Sequence, residues 1–145
     1  MQYKSFVITV LTQLMLITLL GACSSSEEQQ ANYLNRAQEQ YDADDFKKAR
    51  LELRNVFQIN RYNPQARYLY ALIHAQDANW KEVSKNLMLA IEYAPDFIDA
   101  RIKMGGLLFR YGPAGDEKTL EQADAVLALD PGNADAHVLR ASVFR

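Results

Sequence analysis

The chain of 145 residues has one cysteine, Cys23, so no disulfide can form within it. It has only four prolines and six glycines, which disfavours an all-β protein of many tight turns and suits a helical one. Charge of one sign is also lacking. Sixteen Lys and Arg face eighteen Asp and Glu, a formal net charge of −2. There is no basic excess to point to nucleic acid and no acidic block to serve as a solvating tail. The two histidines, His74 and His137, stand far apart, and neither has a second His, Cys or Glu at a metal-ligand spacing. Both read as packing residues. No phosphate-cradling glycine loop exists, because Gly105-Gly106 lies inside a helical pattern with no strand before it. The acidic cluster Asp42, Asp44 and Asp45 falls on an inter-helix turn, where caps and solubility explain it. Catalysis needs convergent groups in a cleft. The sequence offers none, so no enzyme, metal, cofactor or small-molecule substrate is expected.

Long apolar runs are absent except at the start. Lys4 precedes the apolar stretch Phe6 to Leu20, which is broken only by Thr9, Thr12, Gln13 and Thr18. A charged residue, an apolar run and then the small residues Gly21 and Ala22 form the pattern of a secretory signal peptide. As a helix the run reaches only about 22 Å, short of the ~30 Å hydrocarbon core of a bilayer. The ending Leu20-Gly21-Ala22-Cys23 resembles the lipobox of bacterial lipoproteins. That resemblance implies cleavage after Ala22 and acylation of Cys23. Two or more acyl chains anchor stably where one does not. Residues 1–22 are then a signal peptide and 23–30 a lipidated polar spacer. In such proteins an Asp after the cysteine commonly signals retention at the inner membrane. Ser24 stands there instead and favours the outer membrane, facing the periplasm.

Small residues recur at a fixed period. Ala37, Ala71 and Gly105 lie 34 apart, and Ala141 follows after 36. Val56, Ala90 and Val126 follow the same rule, as do Ala66, Ala100 and Ala136. All share one two-residue insertion, placed after Tyr111. Within the period, the stretch FKKARLELRNVFQI puts Phe46, Ala49, Leu53, Val56 and Phe57 on one face of a helix. WKEVSKNLMLAI repeats this with Trp80, Val83, Leu87, Ala90 and Ile91. Asn63-Pro64 offers an N-cap followed by proline at the first helical position, and Asp130-Pro131-Gly132-Asn133 ends one helix and caps the next. Helices are expected at about 28–43, 45–59, 64–77, 79–93, 96–111, 116–129 and 133–145, with Gly112 to Gly115 lengthening one turn.

This period resembles the tetratricopeptide repeat, or TPR. The resemblance implies an all-α solenoid of helix-turn-helix units wound into a right-handed superhelix, with repeats at about 30–63, 64–97 and 98–133 and a truncated fourth at 134–145. Small residues let the two helices of a unit approach closely, while Phe46 and Trp80 fill the space between neighbouring units. The family lines its concave face with the first helix of each unit. Carried onto this sequence, that face includes Leu34, Gln38, Tyr41, Asp42, Gln65, Tyr68, Leu72, Gln76, Asp99, Ile102, Gly106, Phe109 and Arg110. Leu34, Tyr41, Tyr68, Leu72, Ile102 and Phe109 are its expected anchors for a protein or peptide partner. The carboxylate clamp of TPR co-chaperones is lacking, since Leu34 and Gln38 occupy its first two positions. The chain looks like the TPR lipoproteins of exopolysaccharide export, especially the exosortase-associated (PEP-CTERM) type. The implied function is a lipid-anchored envelope scaffold. A pilotin-like chaperone for pilus or secretin assembly, or the TPR portion of a longer envelope enzyme, are the alternatives.

Overall fold

The computed structural model describes residues 26–144. These form seven helices and no strand: α1 (26–42), α2 (Phe46–Ile59), α3 (Pro64–Gln76), α4 (Trp80–Tyr93), α5 (Ile98–Phe109), α6 (Pro113–Leu129) and α7 (Ala134–Val143). The connections alternate between three and four residues, and turns this short fold each helix back on the one before. The expected signal peptide and Cys23 lie outside the described residues. Helix α1 opens at residue 26, two residues before the expected start at 28 and inside the expected spacer.

Helix starts follow the side chains. Asn63 and Asn133 accept hydrogen bonds from the backbone N–H groups of Ala66 at 2.8 Å and Ala136 at 3.1 Å. Asp45 and Asn79 do the same for Lys48 and Glu82. Each cap satisfies an N–H that the helix cannot. The turns inside the hairpins each contain one residue of positive φ, just before the helix cap in the first two and at the cap itself, with ψ −147°, at Gly112. Asp44, Ala78 and Gly112 have φ of 58°, 53° and 63°. They are spaced 34 apart, so the left-handed residue is itself part of the repeat.

The turn at Gly112 corrects one expectation. Residues 113–115 do not lengthen the turn. They are the first turn of α6, which begins three residues before the expected start. Pro113 suits this position because its fixed φ is helical and its missing N–H has no partner to lose. Gly115 is buried, and a Cβ there would stand 2.0 Å from the Leu108 carbonyl oxygen. Only glycine lets α6 pack so close to α5. Four residues later, buried Thr119 donates its hydroxyl to the Gly115 carbonyl at 3.0 Å. Thr119 stands 36 after Val83 and takes its place against the hairpin core.

Two clusters make up most of the core, and Ala123, Val126 and Ala136 extend it into α6 and α7. Ala37, Ala49, Leu53, Val56, Ala66, Leu69 and Ile73 join α1, α2 and α3. Ala71, Val83, Leu87, Ala90, Ala100, Met104 and Leu107 join α3, α4 and α5. No helix alone could bury these faces, so stacking of neighbours makes the core.

A polar contact ties each unit to the turn that precedes it. Arg67 Nη2 donates to the Arg61 carbonyl at 2.6 Å and its Nη1 to Asn86 Oδ1 at 3.1 Å. Arg101 donates to the Pro95 carbonyl at 2.7 Å and to Gln122 Oε1 at 3.0 Å. His137 Nε2 meets the Pro131 carbonyl at 2.9 Å, so this histidine binds a turn carbonyl from an exposed position. His74 packs edge-on to Tyr70, ring centroids 4.6 Å apart.

Candidate functional site

A cleft of about 490 Å³ opens between α3 and α5. Leu72, Ala75 and Gln76 form one wall, and Ile102, Gly106 and Leu107 the other. Val83 and Leu87 of α4 reach in from behind. Tyr41 closes the α1 end, and Asp135, Val138 and Leu139 close the α7 end. The half-turn geometry explains the assembly. Each odd-numbered helix buries one stripe against its hairpin partner, and an adjacent stripe faces the cleft. Gly106 lies in that stripe, and a Cβ there would meet nothing within 4 Å, so the cleft is wide at this point.

Charge is confined to the rim. Lys103 comes from α5, Arg110 from the cap just after it and Asp135 from α7, all exposed. The Arg110 guanidinium lies over the Trp80 ring, 4.6 Å from its centroid. Trp80 keeps 37% of its surface exposed. It therefore borders the cleft rather than being sealed between hairpins, which corrects the filling role expected of it. A cation over an indole face is held by the ring quadrupole, so Arg110 is pre-positioned at the rim.

Of the six expected anchors, Tyr41, Leu72 and Ile102 line the cleft. Leu34 packs against the first core cluster and Tyr68 against the second. Tyr68 lies 5.0 Å from Phe97, ring centroid to centroid. Its hydroxyl pKa is pushed up to about 12, chiefly by burial and then by Asp99 and Tyr41. Phe109 is partly buried and does not line the cleft. Gln76, Gly106 and Arg110, also expected on this face, do line it. Trp80, Lys103 and Val138 were not expected there. Val138 was accessible to the repeat arithmetic, since it lies 36 after Ile102.

Two members of the acidic cluster have local partners. Asp45 caps α2 and pairs with Lys48 Nζ at 2.8 Å, which holds its carboxyl below the usual range. Asp42 accepts from Gln38 at 2.8 Å, and Asp77 pairs with Arg50. Among the described residues no group of three or more His, Cys, Asp or Glu could hold a metal ion. None of the described helices is long and apolar enough to cross a membrane.

Paired antiparallel helices, stacked at a constant period around a lateral cleft, define a helical-repeat solenoid. The fold is that of the tetratricopeptide repeat. Neither a protein-family model nor a curated protein matches the sequence. Solved structures do match. The second TPR domain of human RPAP3, in complex with the HSP70 peptide SGPTIEEVD, superposes with a TM-score of 0.70 at 16% identity, covering 83% of this chain and 98% of that one. YrrB, a TPR protein described as having an unusual peptide-binding site, gives 0.65 at 21% identity over 79% of this chain and 58% of its own. The O-GlcNAc transferase of Thermobaculum terrenum gives 0.70 at 21% identity over 82% of this chain but only 22% of the enzyme. At such identities the likeness establishes the fold.

Proposed function

We propose that this protein is a scaffold that holds a protein partner by an apolar peptide segment in the α3–α5 cleft. The cleft itself carries this reading: an apolar trough of about 490 Å³ with charge only at its rim, Arg110 already fixed over Trp80. Pockets of this size and character suit side-chain anchors. Two of the structural neighbours bind or are described as binding peptides, which supports the same use here. The finer reading is a lipid-anchored scaffold of the bacterial envelope, attached through Cys23, facing the periplasm from the outer membrane and serving export or assembly of an extracellular polymer. Its support is the sequence Leu20-Gly21-Ala22-Cys23 and the resemblance to export-associated TPR lipoproteins.

Two experiments test this. A photo-crosslinking amino acid at Ile102 should trap a partner in envelope extracts, while the same group at Met88, which is 60% exposed and outside the cleft, should not. Trp80→Ala should then weaken capture by about 2 kcal/mol while leaving the helical melting curve nearly unchanged. Equal trapping from both positions would remove the cleft from the proposal. Labelled palmitate should enter the wild type and not Cys23→Ser in a Gram-negative host. An unlabelled wild type would remove the anchor.

A further inference from the structure

Because consecutive helices run antiparallel, α1, α3, α5 and α7 all begin at one edge of the solenoid. Turns 60–63, 94–97 and 130–133 form this edge, and turns 43–45, 77–79 and 110–112 form the opposite one. Ala37 aligns with Ala71 across the repeat, which puts residue 30 level with Pro64. Residues 26–29 then carry α1 about 6 Å past the edge. Cys23 stands three residues earlier, a reach of at most about 10 Å. A lipid on Cys23 is therefore attached within about 16 Å of the α1 end of this edge, and on its side of the solenoid rather than the other.

The same edge exposes two aromatic rings. Tyr62 and Tyr93 are 46% and 42% exposed, and their rings stack 4.6 Å apart at 35°. The Arg61 guanidinium lies 5.3 Å from the Tyr62 ring. Leu129, 51% exposed, occupies the place of Tyr93 one repeat later. Tyrosine and arginine each join an apolar body to a polar tip, the combination that settles at a bilayer's interfacial layer. Asp96 and Asp130 stand in the same turns and keep the contact at headgroup depth, since a carboxylate among the tails is costly.

We propose that Tyr62 and Tyr93 make a second membrane contact, seating this edge on the interface of the bilayer that holds the lipid of Cys23. The proposal rests on the lipid attachment proposed above. Edge-on seating stands the helices upright on the membrane and runs the solenoid along it. The α3–α5 cleft then opens sideways, accessible to a partner beside the membrane and not blocked by it.

Cys23 is the sole cysteine, so the chain from Cys23 onward can be coupled through this thiol to a maleimide lipid in phosphatidylcholine vesicles. That chain keeps every residue of both core clusters and therefore the fold. Hydroxyl-radical footprinting should show modification of Tyr62 and Tyr93 falling severalfold, relative to the same protein coupled to a soluble maleimide. Tyr111, 61% exposed at the opposite edge, should react equally in both. If Tyr62 and Tyr93 react on vesicles as they do in solution, the contact does not exist. If Tyr111 is protected as strongly as they are, the edge has no preference and the proposal is equally overturned. The vesicle supplies the anchor here, so this outcome is independent of whether cells acylate Cys23, which palmitate labelling decides.

Discussion

Single residues show where the repeat is under tension. Ala78 and Asp44 carry the left-handed φ that Gly112 carries freely. Alanine in that region places Cβ against the following carbonyl, at a cost of roughly 1–2 kcal/mol. Ala78→Gly should relieve it and, after the extra freedom of an unfolded glycine, stabilise by about 0.5–1 kcal/mol. Thermal melting should show a higher Tm, and an unchanged or lower one would refute the strain. Gly115→Ala goes the other way. Its Cβ would meet the Leu108 backbone carbonyl rather than a yielding side chain. Forcing α5 and α6 apart should cost about 1–3 kcal/mol, readable as a lower urea midpoint. Protonation acts at His74. Its Nδ1 is buried with no hydrogen-bond partner among the described residues, and burial, then Arg50, lowers its pKa from the ordinary 6.5. The folded state thus resists a proton that the unfolded chain accepts. Its titration has no effect on stability well above pH 6.5, and stability falls as pH drops below 6.5 toward the lower folded pKa. The Tm lost between pH 7.5 and pH 5 should shrink in His74→Gln relative to wild type. An equal loss in both would show that His74 does not contribute.

Elements reveal what was legible in the chain and what was not. Helix existence and pairing followed from spacing, because small residues at a constant period are what close helix packing needs. Boundaries failed where one residue's geometry overrode composition. Gly112-Pro113-Ala114-Gly115 reads as a turn by its residue types, yet only Gly112 turns the chain, while Pro113 and Gly115 serve the helix. The Arg67 and Arg101 contacts repeat in part through side chains, since Asn86 and Gln122 stand 36 apart, but their other acceptors are turn carbonyls, which carry no sequence signature. The cleft was legible in part for a related reason. Leu72 and Ile102 sit in the stripe that the family's geometry points inward. Packing and cleft share that stripe: Leu72 and Tyr41 touch the first cluster and still reach the cleft, while Leu34 and Tyr68 only pack against the clusters. Trp80 went the opposite way, because Arg110 on the next hairpin gives its ring a partner at the surface.

On the scale of the molecule, α3 is the helix that the two core clusters share. Ala66, Leu69 and Ile73 face the first cluster, and Ala71 faces the second. Helix α2 packs on α3, while α5 packs on α4, α6 and α7. Stability in such an array is a sum of local and nearest-neighbour terms, so damage should spread unevenly. Leu53 is fully buried in the first cluster, and Leu53→Ala should cost about 2–5 kcal/mol there. Native-state hydrogen exchange should then show α2 amides losing protection by a much larger factor than those of α5 and α6. Leu107→Ala, in the second cluster, should reverse the order. The contrast between the two variants matters more than either alone, since any core deletion lowers global stability. Uniform loss of protection across all helices in both variants would mean that α3 couples the halves into one cooperative unit. The protein would then present a partner with a single rigid cleft rather than one whose α1 end can open while its α5–α7 end holds.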